Sequence, residues 1–344
     1  MPAVRTDPYA EVDWHAVTRL HDQLHVHTNR TKGTLAAHEV VDTYATELDR
    51  DIIAISGRSY NEPRLWPWTD FASIGQLDAL SWANRDPDDV GVVPIEATEF
   101  TVRDHHLCLF TSVLESEVSA PASNREQIQL LTAAGGLVVY CHPHFSGYDV
   151  TDWRHFTRLY EAFPSNALLG QEIWTSVEDY GDGRIGGHPN DEDLWDAVLT
   201  QWHGERNIYG IAVDDPPGAT MQADGIGRPI GQYFNVVLAE NRSLAAVRDA
   251  YVAGRFYPVR LRSWEGGAGA RPTAPRLDRA QVVDGAIEVD VGPETEVTWV
   301  SEGRPVHTGR RLSLGIPELR TYVRARLKTY DGCIASTQPY LLNS

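Results

Sequence analysis

The chain has 344 residues, with 48 Asp and Glu against 30 Lys and Arg and a formal net charge of −18. That charge repels nucleic-acid phosphates and anionic membrane surfaces at long range, so neither is an expected partner. A hydrophobic share of 42% suits a soluble globular protein with room for roughly two domains, and the start Met1-Pro2-Ala3-Val4-Arg5 and the lack of any run of about eighteen apolar residues predict a cytoplasmic location.

Residues 1–20 read as an N-terminal arm or short helix, followed by a strand that ends in Gln23-Leu24-His25-Val26-His27-Thr28. Strand residues two apart share a face, so His25 and His27 aim at one spot while Leu24 and Val26 pack behind them. After the loop Asn29-Arg30-Thr31-Lys32-Gly33, the spacing of Ala37, Val40, Val41, Tyr44 and Leu48 predicts a helix over 36–48. Asp51-Ile52-Ile53-Ala54-Ile55-Ser56 is the next strand, giving a parallel βαβ unit.

Further strands are expected at 96–101 and 105–110, around a turn at Arg103-Asp104. A helix over 125–134 stops at Gly135-Gly136, and the apolar strand Leu137-Val138-Val139-Tyr140-Cys141 ends in His142-Pro143-His144. A helix at 153–163, a strand at 168–174 carrying Glu172 and Trp174, and a helix at 191–202 come next, then a strand at 208–213 ending in Asp214-Asp215. The glycine run at 225–231 lacks the Lys-Ser/Thr ending of a phosphate loop and reads as a loop into the strand 233–238. A helix over 244–253 completes a first domain, 1–264, of α/β type. Composition then shifts to a Gly-rich linker at 265–272, and short alternating runs over 273–344 predict a small β-sandwich whose only histidine is His307. Cys108, Cys141 and Cys333 have no zinc-finger spacing and read as buried thiols.

Polar residues follow the apolar strands repeatedly. In parallel α/β folds the carboxyl ends of the strands converge on one face, where residues distant in sequence meet. His25, His27, Glu99, His106, His142 and Asp215 all fall at or near strand ends. Imidazole and carboxylate together suit Zn, Mn or Fe, and six such ligands with one bridging carboxylate are enough for two ions. Singly, each has an ordinary alternative as a buried, hydrogen-bonded histidine, a strand end or a turn cap.

Taken in order, Leu24-His25-Val26-His27-Thr28, Ile53-Ala54-Ile55-Ser56, Pro94 with Glu99-Phe100-Thr101, His106-Leu107, Gly135-Gly136-Leu137-Val138-Val139 with His142-Pro143, and Val213-Asp214-Asp215 resemble the motifs of the polymerase and histidinol phosphatase (PHP) superfamily. The resemblance spans roughly residues 20–260. Ala253-Gly254-Arg255-Phe256-Tyr257 and the tail are similar to a branch with a C-terminal β domain that includes carbamate hydrolases. It implies a distorted seven-stranded (β/α) barrel and hydrolysis at a centre of two or three metals. His25, His27, Glu99 and Asp215 match the ligands of one ion, and Glu99, His106 and His142 those of a second. Where the family usually has Asp-His this chain has Gly57-Arg58, where it usually has Asp-x-His it has Asp215-Pro216-Pro217, and Thr31-Lys32-Gly33 stands for Ser-Asp-Gly. In the family these positions tend to serve the third metal, so the expectation is two divalent ions bridged by Glu99 and no third.

Arg58 and Lys32, with Arg30 and Arg64 in the same loops, are then expected to bind a substrate anion, Arg58 taking the orienting role of the missing ion. His144 is a candidate proton donor to the leaving group. Glu172 is a candidate to orient a substrate hydroxyl or a ligand histidine. Trp174, like Trp66, Trp68 and Trp153, is a candidate cleft wall. The expected function is a metal-dependent hydrolase acting on a small, anionic phosphoester or a carboxyl or carbamate ester, as a possible homo-oligomer. The competing readings are a non-hydrolytic dinuclear enzyme, such as a lyase or iron-dependent oxidase, and a degenerate binding module without turnover.

Overall fold

The computed structural model describes residues 3–29, 33, 35–60, 85–175, 191–215, 230–262 and 272–343. Lys32, Arg30, Arg64, Trp66, Trp68, the loop 180–189, most of the glycine run and the linker up to Arg271 lie outside them. The N-terminal arm carries a strand, β1 (Val4–Thr6), instead of a helix, and the His-bearing strand is β2 (Thr18–Val26). Helix α1 (Ala37–Asp42) continues into a π-helical turn through Glu47, and β3 (Ile52–Ile55) follows. A one-turn helix α2 (Pro87–Val90), with Asp86 as its cap, leads to β4 (Val93–Phe100) and β5 (His106–Leu109). Helix α3 (Asn124–Ala133) starts where the Ser123 hydroxyl accepts from the Glu126 N–H, the expected N-cap arrangement. Then come β6 (Leu137–Tyr140), α4 (Trp153–Ala162), β7 (Leu168–Thr175), α5 (Asp191–Thr200), β8 (Tyr209–Val213), β9 (Tyr233–Ala239), α6 (Leu244–Ala253) and β10 (Phe256–Arg260). No helix among the described residues is long and apolar enough to cross a membrane.

Strands β9-β2-β3-β4-β5-β6-β7-β8 form one continuous sheet, with β2, β3 and β4 parallel, β5 antiparallel to both neighbours, and β6, β7 and β8 parallel. The inward residues of all eight strands share one apolar cluster, including Leu24, Ala54, Ala97, Leu107, Val139, Leu169, Ile211 and Val237, and α6 adds Val247 and Ala250 to it. The sheet is therefore curled around its own core. Outside it, α1 packs on Ile53 and Ile55, and residues of α3, α4 and α5 pack on the outer faces of β5 to β7.

A seven-stranded closed barrel is not what the pairing shows. Among the described residues β8 pairs with β7 alone, and it meets β9 through a side chain: Asn235 accepts from the Ala212 N–H at 3.0 Å and donates Nδ2 to the Ala212 carbonyl at 3.0 Å. Two residues earlier on β8, Gln338 does the same for Gly210, accepting at 3.0 Å and donating at 2.8 Å. Two primary amides thus satisfy the strand edge that a neighbouring backbone otherwise covers, as buried peptide groups require.

Beyond the linker, β11 (Leu277–Val283), β12 (Ala286–Val291) and β15 (Arg311–Ser313) form a three-stranded sheet. It packs on β13 (Thr295–Ser301) and β16 (Tyr322–Thr329), with Ile287, Val289, Trp299, Ala325 and Leu327 in one core. Strand β14 (Arg304–Thr308) pairs with β13, and β17 (Ile334–Ser336) pairs with β10, extending the large sheet into the C-terminal strands. β18 (Tyr340–Leu342) pairs with β16 and with β1, so the N-terminal arm is sewn into the C-terminal layer.

The fully buried Arg324 of β16 ties that layer to α5. It donates to Glu192 at 2.7 Å and to Asp196 at 2.7 and 3.0 Å, while Trp174 Nε1 donates to Glu192 at 3.0 Å. Burial pushes the Glu192 carboxyl up, but Arg324 and Arg326 outweigh it and hold it at about 2 against an ordinary 4.5. Replacing Arg324 with Met strands buried carboxylates, and the expected loss is about 3–5 kcal/mol of unfolding free energy, read from denaturant melts. Because the folded pKa is depressed, the Glu192 contribution is present above pH 4.5 and is lost as pH falls toward about 2. The gap between wild type and Arg324→Met should therefore narrow across that window.

Candidate metal centre

The cluster at the strand ends follows from which face each residue takes. Along β2 the register passes from Gln23 opposite Ile53 to Val26 opposite Ile55, one residue more on β2 than on β3. This bulge turns Val26 outward onto α1 and leaves His25 and His27 inward above Leu24, re-aiming side chains as bulges do. Glu99 continues the inward set Ile95 and Ala97 and stands opposite Leu107. His105, just ahead of β5, shares the parity of the inward Leu107 and Leu109. His142 leaves β6 at φ 23° and Asp215 leaves β8 at φ 37°, a backbone region that non-glycine residues seldom adopt. Each sits where its ring or carboxylate must bend back over the core, and the Asp215 N–H is fixed by the His25 carbonyl at 3.0 Å. Backbone strain of this kind concentrates at functional sites.

The ligand atoms lie one coordination edge apart. His25 Nε2 and His27 Nε2 are separated by 3.2 Å, His27 Nε2 is 3.2 Å from Glu99 Oε2 and 3.1 Å from Asp215 Oδ1, and His25 Nε2 is 3.7 and 3.4 Å from the same two oxygens. Two atoms each held roughly 2.0–2.2 Å from a divalent ion at the tetrahedral angle stand about 3.3–3.6 Å apart, so these distances fit a metal. The other oxygens face a second pair of rings. His142 Nε2 is 3.6 Å from Glu99 Oε1 and 3.5 Å from Asp215 Oδ2, and His105 Nδ1 is 2.6 Å from Glu99 Oε1. His142 is buried, yet neither of its ring nitrogens has a hydrogen-bond partner, an arrangement that suits a ligand and is costly otherwise.

The electrostatics agree with that donor set. Burial pushes the Glu99 carboxyl up, but His105, His142, His25 and His27 outweigh it and hold it well below its ordinary value. Burial pushes His25 down, while Asp215, Glu172 and Glu99 raise it to about 10. The cluster therefore holds positive charge strongly, which a cation supplies as well as protons do. Buried His, Glu and Asp side chains here are compatible with metal binding.

Around the cluster, Glu172 is committed to the histidines. Its Oε1 takes the His25 Nδ1–H at 2.8 Å and its Oε2 takes the His142 backbone N–H at 2.9 Å. Of the two expectations for Glu172, contact with a substrate hydroxyl or orientation of a ligand histidine, the geometry matches the second. The His25 tautomer is thereby set, with Nε2 turned into the cluster. Arg58 reaches the centre, its Nε 3.3 Å from Glu99 Oε2, and its stretch of backbone brackets Glu99: the Glu99 N–H donates to Gly57 and the Ser59 N–H donates to the Glu99 carbonyl. His144 turns to buried Asp191, which accepts from its backbone N–H at 2.8 Å and faces Nδ1 at 2.5 Å.

Two expected site residues fall elsewhere. His106 faces outward, opposite Phe100 and Tyr140, with Nδ1 2.8 Å from Gln127 Nε2, and burial lowers its pKa to about 4, so it is a neutral core histidine. The ring next to Glu99 belongs to His105. The His105-His106 pair concealed a choice of parity that only the inward Leu107 and Leu109 decide. Trp174 is buried in the outer core against α5, with its indole N–H on Glu192. Lys32 lies outside the described residues.

No family model matches the chain, and no curated protein matches it. Among solved structures it is similar to a two-domain protein from Bacteroides vulgatus, described as containing a predicted PHP-like metal-dependent phosphoesterase. The TM-score is 0.50 over 98% of this chain and 97% of that one, at 13% identity. The similarity is one of fold, and it runs through both the α/β part and the C-terminal strands.

Proposed function

We propose that the protein is a metal-dependent hydrolase with a dinuclear centre. The observation that supports this best is the division of the Glu99 carboxylate, Oε2 facing His25 and His27 and Oε1 facing His105 and His142, with Asp215 divided in the same sense. His25, His27, Glu99 and Asp215 would hold one ion, and His105, His142 and Glu99 the second, with Zn, Mn or Fe all suited to these donors. Divalent ions so bound supply Lewis acidity and water activation near neutral pH.

The chain's own residues do the rest. Glu99 and Asp215 hold the two halves of the centre together. Glu172 keeps His25 in one tautomer and fixes the backbone of His142. Arg58, only 17% exposed at its side chain, presents a permanent cation beside Glu99 and orients an anionic substrate there. His144, held by Asp191, would give a proton to the leaving group. Substrates in keeping with this are small anionic phosphoesters, with carboxyl or carbamate esters as the other class.

Metal analysis of chelator-free protein should find about two ions per chain. His105→Ala should retain about one and His106→Ala about two, and the opposite order would overturn the assignment of the second ion's ligands. Glu172→Gln should weaken metal affinity about 10- to 100-fold in competition with a chelator. With a phosphomonoester substrate, Arg58→Ala should lower kcat/KM roughly ten- to a hundredfold with metal content retained; unchanged kinetics would remove Arg58 from the site.

A further inference from the structure

Phe145 has no role in holding the centre, yet its position is tied to it. It lies in the 3₁₀ turn that follows His142, where its N–H donates to the His142 carbonyl at 3.0 Å, and Gly147 ends the turn in a left-handed conformation. Its ring meets two rings of the cluster edge to face, with centroids 5.3 Å from His142 and 5.8 Å from His105. The His142 ring is buried and the His105 side chain is 18% exposed, but Phe145 is 59% exposed. Among the described residues the large exposed aromatic rings are Tyr60, Phe145 and Tyr330, and two of these stand in loops that carry site residues, Tyr60 two positions after Arg58 and Phe145 three after His142. An exposed apolar ring leaning on a polar centre costs hydration free energy and is a common mark of a ligand surface.

The two sides of Glu99 differ in chemistry. Arg58 approaches Glu99 Oε2, and Phe145 covers the histidines that approach Glu99 Oε1, so the cation and the apolar ring flank opposite sides of one carboxylate. A ligand bound across the centre meets positive charge on one side and an aromatic face on the other.

We infer that Phe145 is a specificity-determining residue, and that the substrate is an anion whose neighbouring group is aryl or another flat apolar moiety packing against this ring. The inference rests on the metal-centre reading above and adds the substrate class. Ring packing of this kind gives about a threefold to tenfold preference over a group that cannot reach the ring.

Phenylphosphonate and methylphosphonate, which carry no hydrolysable ester, test this by calorimetry on zinc-loaded full-length protein, with zinc content measured in the same samples. Wild type should bind phenylphosphonate about threefold to tenfold more tightly, and Phe145→Ala should bring the ratio close to one at equal zinc content. Phe145→Trp should restore the preference. Equal affinities in wild type, or a preference that survives in Phe145→Ala, would overturn the inference while leaving the metal centre standing. Loss of zinc from wild type would overturn the metal-centre reading and this inference with it.

Discussion

The strand-end cluster depends on one desolvated carboxylate. Glu99 is removed from water and surrounded by four imidazoles and a guanidinium, and burial alone would drive it to take up a proton. Hydrogen bonds from the histidines hold its carboxyl well below its ordinary value, and its partners come from four separate places in the chain: the end of β2, the loop after β3, the turn before β5 and the end of β6. Each of these needs its own backbone device, a bulge for His25 and His27, a parallel bridge for Arg58, strand parity for His105 and a left-handed residue for His142. The curled sheet brings those devices to one point, and the core beneath keeps water out.

Much of this was legible in the sequence because apolar strands and amphipathic helices announce themselves by period. The helix over 244–253 matches α6 residue for residue, and α4 and α5 begin where expected. His25, His27, Glu99, His142 and Asp215, which the structure brings together, stood out because each follows an apolar run. Parity was harder. The reading of Leu24 and Val26 as one face missed the bulge that separates them, though it arrived at the right direction for the histidines. At His105-His106 the same kind of ambiguity led to the wrong ring.

Tertiary choices were less accessible still. Trp174 at a strand end gave no sign that α5 would cover it, and Glu172 gave none that both its oxygens would be taken by two histidines. Closure of the sheet through Asn235 and Gln338 leaves no local signature, since an amide side chain in a strand reads as an ordinary polar residue. The N-terminal arm lacked the alternation of a strand because β1 has only three residues and takes its register from β18.

The amide of Gln338 has a bearing on how the chain is made. It seals the Gly210 edge of β8 from a position 128 residues further along. Synthesis runs from the N-terminus, so β8 leaves the ribosome long before its edge partner does. Until Gln338 emerges, Gly210 lacks the amide that satisfies it, and an unsatisfied strand edge is of the kind that recruits neighbouring chains. A chain lacking Gln338 would leave the Gly210 edge of β8 without this partner, the kind of edge that favours association between chains.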